Sequence, residues 1–247
     1  MIYFYDGTED AFLTAFLLAY RDEEAVITSG NSQLSLGQES VFVKTDPERA
    51  KRARQRFREL DKECLHELNL LLRSGDSSRD MTAFRYFRLI AERKRPVRGM
   101  YSEPAVVAAE ECIRRVLHEA ERFRGFIRFL ESESGALYAA FSPDNDICDM
   151  LVPHFKARLP HYPFVLHDVA RKKAAVYDGA NVFFAPLDRA EVALSANEAE
   201  WQALWKRYYT SVNIPSRERL KQMRGYMPVR YWKFMPEFKN TAPKTDY

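Results

Sequence analysis

Between residues 104 and 185 the apolar residues change period, and that change restricts the fold more than any other feature of the chain. From Pro104 to Arg124, Val106, Ala109, Ile113, Val116, Ala120 and Phe123 recur at the three- and four-residue spacing of one helix face. The pattern then breaks into short apolar runs: Phe126 to Leu130, Ala136 to Phe141, Phe164 to Asp168, Ala174 to Tyr177 and Val182 to Ala185. A Ser-Glu-Ser-Gly segment separates the first two, and turns at Arg171-Lys172 and Asp178-Gly179 separate the last three. Runs this short, joined by turns this tight, predict a hairpin and a meander, with one helix near Asp146 to Ala157 between them. Helices before and after such strands imply α+β: an antiparallel sheet of hairpin and meander strands packed with helices, followed by a helical and aromatic C-terminus.

Upstream, Ile2 to Tyr5 reads as a strand, Asp6-Gly7 as a turn and Thr8 as the N-cap of a helix to about Arg21. A polar loop spans Gly30 to Gln38, and Val41 to Val43 is a second strand. Asp46 before Pro47 then opens a helix with Arg49, Lys51, Arg52, Arg54, Arg56 and Arg58 on it. Leu60, Cys64 and Leu68 continue its period as far as Gly75. Asp76 to Asp80 starts the next helix, striped by Met81, Phe84, Phe87 and Ile90 and closed by Pro96 and Gly99. We divide the chain into an N-terminal α/β segment, 1–80, and a main α+β domain, 81–247.

The 247 residues are 46% hydrophobic and 30% charged with 9 glycines, which excludes collagen-like, low-complexity and wholly disordered chains. The net charge of +3 is a cancellation. Residues 44–98 carry 16 basic and 9 acidic side chains, and residues 201–247 carry 10 and 3. Two such blocks predict a positive face for a phosphate backbone, although either block alone also reads as solvated helix surface. Three widely spaced cysteines, Cys64, Cys112 and Cys148, are not the framework of a small secreted domain. With no leader-like N-terminus and no apolar run near 18 residues, a cytoplasmic protein without a membrane segment is expected.

The chain has no G-x-G-x-x-G, Walker loop, G-x-S-x-G, paired C-x-x-C or H-E-x-x-H, and its cysteines cannot build an iron–sulfur cube. No cofactor and no metal site are therefore expected. Cys112 with His118 and Cys148 with His154 have no common zinc spacing. Asp144, Asp146 and Asp149 precede His154, and His167-Asp168 ends a strand. An acid–base site could draw on His154, His167, Asp144, Asp146 and Asp168. Against that reading, Asp144 and Asp146 suit helix N-caps, and neighbours on a strand point to opposite faces. The C-terminus is more distinctive, because Arg217, Arg219, Lys221, Arg224 and Arg230 interleave with aromatics through Tyr231 and Trp232. Cations for phosphates beside rings for unpaired bases make these seven the candidate nucleic-acid contacts. Trp, Tyr and Arg also suit a protein interface, and aromatics on a helix are most often core.

Trp201-x3-Trp205-x2-Tyr208-Tyr209, Val212-Asn213-Ile214-x2-Arg217 and Met227-Pro228-x2-Tyr231-Trp232 together resemble the C-terminal signature of the bacterial family called domain of unknown function 4130. Tyr5-Asp6-Gly7, Gly125-Phe126-Ile127-Arg128-Phe129, Ser142-Pro143-Asp144, Pro153-His154-Phe155, His167-Asp168 and Tyr177-Asp178-Gly179 are similar to its other blocks. The resemblance implies a protein of DNA metabolism or repair found beside a radical S-adenosylmethionine (SAM) protein, and in some relatives fused to a uracil-DNA glycosylase-like domain. It implies no established activity. Glu121 stands where that family often has histidine. The expectation is an accessory protein that binds DNA and partners a radical SAM enzyme encoded nearby. The alternatives are a hydrolytic enzyme acting on DNA or a modified base, and a protein-interaction module without nucleic-acid binding.

Overall fold

The computed structural model describes residues 1–30, 39–214, 216 and 219–238. Packing divides the chain into two compact units, Met1–His118 and Glu119–Tyr247. The boundary falls inside a continuous helix rather than at residue 80, because the helix after residue 78 packs on elements of the first unit. The two basic blocks thus belong to different units. Most of the loop read at Gly30 to Gln38 lies outside the described residues.

The first unit is built on a three-stranded parallel sheet, β1 (Ile2–Phe4), β2 (Val26–Thr28) and β3 (Ser40–Phe42), in the order β2-β1-β3. The central strand has all three residues buried, as a strand with neighbours on both sides requires. Between β1 and α1 (Glu9–Ala19), Gly7 takes φ +85° and the Thr8 hydroxyl accepts from the Ala11 N–H. The Asp46 carboxylate accepts from the N–H groups of Glu48 and Arg49, with Pro47 in the first turn of α2 (Pro47–Leu60). The helix read as continuous to Gly75 is two: α2 stops at Asp61, whose backbone is extended, and α3 runs Cys64–Leu72. Asp61 Oδ1 accepts from the Glu63 N–H, which starts the new helix. With α4 (Arg79–Arg93), these helices bury an aromatic core in which Phe87 meets Phe12, Phe16, Phe57 and Tyr86. Several cations of the basic helix are already paired: Arg54 with Glu9 and Asp10, Arg56 with Glu59, and Arg49 with Asp46.

Helix α5 (Pro104–Phe126) buries Val106, Ala109, Val116, Ala120 and Phe123 of the expected stripe and half-buries Ile113. It runs through Phe126, where a strand was expected, so pairing starts only at β4 (Leu130–Glu131). The sheet of the second unit follows as β5 (Leu137–Phe141), β6 (Phe164–Asp168), β7 (Lys173–Tyr177) and β8 (Val182–Pro186), in sequential order from β4. The fold is α+β, but its strands are not all antiparallel. β5 and β6 run parallel, with Leu137 opposite Phe164 and Phe141 opposite Asp168, because α6 (Cys148–Arg158) returns the chain before β6 begins. The remaining pairs are antiparallel, and Lys172 and Gly179 take positive φ in the two predicted turns. After the sheet come α7 (Glu198–Val212), α8 (Leu220–Tyr226) and short 3-10 turns at Val229–Phe234 and Pro236–Phe238.

Candidate nucleic-acid interface

The parallel pair explains why distant motifs meet. The chain leaves β5 at Phe141 and β6 at Asp168 on the same sheet edge, so the loops after each lie side by side. Glu119, on α5 and 6% exposed, organises the first loop. It accepts from the N–H groups of Asp144 (2.9 Å) and Asn145 (2.8 Å), the Asn145 side-chain amide (2.6 Å) and the Tyr231 hydroxyl (2.6 Å). Around it, each carboxylate of the loops holds a cation: Asp144 with Arg230, Asp146 with Lys173, and Asp168 with Arg171. Arg171 also donates to the carbonyls of Pro143 and Asp144. Burial raises the Asp168 pKa, and Arg171 opposes the rise. Burial and the bond to Glu119 push the Tyr231 phenol upward, so it stays a donor at neutral pH.

This cluster fastens the chain's last described segment to the sheet. Tyr231 packs edge-on against Phe123, with ring centroids 4.7 Å apart, while Arg230 lies over the Tyr231 ring. Trp232 stacks on Phe238 at 4.8 Å and its indole N–H donates to the Met227 carbonyl. From the end of α5, Arg128 reaches Glu237 with two N–H groups and lies over the Trp205 ring at 4.9 Å. Tyr231 and Trp232 are 3% and 4% exposed, so their expected role of stacking on bases or touching a partner has no open ring face. They act as core, the commoner use of aromatics at such spacing. Arg230 is exposed but already holds Asp144.

Next to this anchor, α7, α8 and the last turns line an open cleft of about 560 Å³. Its lining includes Arg219 and Arg224 together with the aromatics Tyr209, Tyr226 and Trp232. Arg219, Lys221 and Arg224 are exposed and, among the described residues, form no ion pair. Arg217 lies outside the described residues. Along α7, Trp201, Leu204, Tyr208 and Val212 are all more than half exposed, and only Glu198 is buried, where it accepts the Glu131 N–H. Asn197 sits at the cap position of this helix without capping it through its side chain.

The residues of the acid–base reading divide. Asp144, Asp146 and Asp168 share the loops just described, each engaged by a cation. Ile147 occupies the N-cap position of α6, directly after Asp144 and Asp146. His167 is buried, its Nδ1 bonded to the Tyr138 hydroxyl at 2.7 Å and its Nε2 to the Leu187 carbonyl at 2.9 Å. His154 packs edge-on against Phe155. Among the described residues, neither histidine bonds one of those carboxylates, and no group of three or more His, Cys, Asp or Glu is placed to hold a metal ion. Glu119, Arg128, Arg171, Lys173 and Glu237 were missed in the sequence reading. Each is an ordinary charged residue on a helix, a turn, a strand end or a loop, and nothing local distinguishes it from a solvated one.

Fold and site together define a two-unit α+β protein whose C-terminal segment is locked onto a mixed sheet and carries a cation- and aromatic-lined cavity. The chain belongs to the family described as a domain of unknown function, DUF4130, whose model matches residues 77–237. The match covers the long helix, the mixed sheet and the anchored segment. No curated protein and no solved structure matches the chain.

Proposed function

We propose that the protein is a cytoplasmic accessory factor of DNA repair or modification that binds nucleic acid through its C-terminal segment and works beside a radical SAM enzyme. The observation that carries this reading is the placement of Arg219 and Arg224 on the same cavity as the half-buried Tyr209 and the exposed Tyr226. Cations at such a mouth attract phosphates, and aromatic walls suit bases. Lys221, exposed on the same helix, adds to the positive charge. The partner half of the proposal draws support from α7, whose exposed Trp201, Leu204 and Tyr208 form one stripe of the residue types favoured at protein interfaces.

The test is binding of single- and double-stranded DNA oligomers across a salt series. Several phosphate contacts predict affinity that falls steeply with salt, and the triple variant R219A/K221A/R224A should bind weakly with a shallower slope. Affinity that is absent, or flat between low and moderate salt, overturns the nucleic-acid half. Copurification with the neighbouring radical enzyme that is lost in W201A/Y208A supports the partner half. Copurification without DNA retention by either protein favours a pure interaction module instead.

A further inference from the structure

β8 (Val182–Pro186) ends the strand order of the second unit's sheet, so among the described residues one of its two backbone edges meets no strand. Its sequence, Val-Phe-Phe-Ala-Pro, carries no charge, and Phe183 and Phe184 are 53% and 60% exposed. Sheet edges are ordinarily guarded by lysines, other charges or bulges, because their unpaired N–H and C=O groups template a further strand. The ladder with β7 fixes which groups face outward. The Leu187 N–H donates to the Lys172 carbonyl and the Asp178 N–H to the Asn181 carbonyl, both in register with Ala185 opposite Ala174. Bonded pairs alternate in an antiparallel ladder, so Phe183 and Ala185 bond β7 while Val182, Phe184 and Pro186 direct their backbone groups outward. Pro186 therefore gives up no bond to β7, as an edge strand allows.

We propose that β8 pairs antiparallel with β8 of a second copy of this chain, about a two-fold axis at Phe184, and so joins two sheets into one. Phe184 is the midpoint of the strand and faces outward, so this axis pairs the whole strand with itself. The Phe184 N–H donates to the carbonyl of the partner's Phe184 and receives the same in return, and the Val182 N–H donates to the carbonyl of the partner's Pro186. On one face Phe184 meets the partner's Phe184; on the other the large Phe183 ring lies opposite the small side chain of the partner's Ala185. The flanking charges agree. Asp178 lies six residues before Phe184 and Arg189 five after it. Both are exposed and, among the described residues, neither forms an ion pair, whereas Asp188 is held by Lys172. An antiparallel two-fold brings the start of one strand to the end of the other, so each Asp178 comes near the partner's Arg189. An axis at Phe183 would instead set Asp178 opposite the partner's Asp188, like against like. β4, the opposite edge of the sheet, is only two residues long, so the pairing closes at two copies rather than growing. This interface is independent of the nucleic-acid reading above.

The experiment follows the full chain by sedimentation velocity from about 1 to 100 µM. Wild type should pass from monomer to dimer over that range. F184K sets like charges across the axis and should weaken the dimer at least about tenfold, at a position exposed enough to spare the fold. R189D, which turns an attraction into a repulsion, should weaken it as well, while R189K keeps it. F184C reports the axis itself, because opposed residues of a bonded pair stand about 5.5 Å apart between Cα atoms, within disulfide reach. The three native cysteines are buried, so mild oxidation should crosslink F184C through the introduced thiol, and should crosslink F183C more slowly. A monomer at every concentration overturns the second copy as the occupant and leaves the edge to a strand of another protein. A dimer that F184K leaves intact and F184C does not crosslink overturns β8 as the interface. Crosslinking of F183C as fast as F184C overturns the axis at Phe184.

Discussion

Replacing Tyr231 by Phe removes one oxygen from the anchor and tests whether the anchor holds the second unit together. The hydroxyl donates to Glu119 at 2.6 Å, and both residues are buried, at 3% and 6% exposure. A hydrogen bond to a charged group contributes about 1.5–3 kcal/mol net. Glu119 Oε1 keeps the Asp144 N–H, and Arg230 keeps Asp144, so no partner is stranded and the lower part of the range applies, about 2 kcal/mol. All three tryptophans, Trp201, Trp205 and Trp232, lie in the unit Glu119–Tyr247, so urea unfolding followed by tryptophan fluorescence reports that unit alone. With a urea slope of about 2 kcal/mol per molar, the midpoint should fall by about 1 M. E119Q should cost more, because its amide nitrogen must face one of the two backbone N–H groups. In the E119Q background the Y231F effect should shrink to less than half. The phenol's pKa is raised above its unfolded value of about 10, so the stability it contributes is complete below pH 10 and is lost as pH rises beyond it. The difference between wild type and Y231F should therefore narrow above pH 10. A Y231F midpoint within about 0.2 M of wild type, or an undiminished effect in E119Q, would refute the anchor.

Burial raises Cys64 and Cys148 to a pKa of about 12 and shifts Cys112 in the same direction, so an aromatic disulfide reagent at pH 8 should label no cysteine in the native protein and all three after denaturation. Hydrogen bonds from Ser78, then Arg115, hold Asp76 below the usual carboxylate range, so its stabilising effect is present above about pH 4 and is lost as pH falls through the lowered value. D76N should accordingly be less stable than wild type at pH 7 and indistinguishable near pH 2, which urea titrations read by circular dichroism check. Phe87 is fully buried with its centroid 4.6 Å from Phe57 and 6.0 Å from Phe12, so F87A should cost about 3–5 kcal/mol and speed hydrogen exchange in α1 and α4.

Much of the element list was legible because its signals are local. Thr8 and Asp46 cap where the sequence puts them, the α5 stripe faces inward, and β6 has the bounds that its apolar run gives. The errors arose where local signals were ambiguous. Phe126 to Leu130 reads as strand by composition, but α5 retains Phe126. Leu60 to Leu72 keeps helical period across Asp61, where the backbone opens to let that side chain serve Glu63. The candidate site was legible only in part, since Arg219, Arg224 and Trp232 were named as contacts but not that Trp232 lies inside.

The sequence by itself determined the α+β class, the family, most helix and strand positions, and the concentration of cations and rings at the C-terminus, because period, capping and composition act within a few residues. Tertiary structure alone decided that β5 and β6 run parallel, and so which loops share an edge. It also decided that Glu119 meets Tyr231 across 112 positions, and Arg128 meets Glu237 across 109. An isolated glutamate on a helix carries no mark of whether its far partner exists, because pairing depends on where the whole chain returns. The same return settles which rings become core and which cations stay open at the cavity.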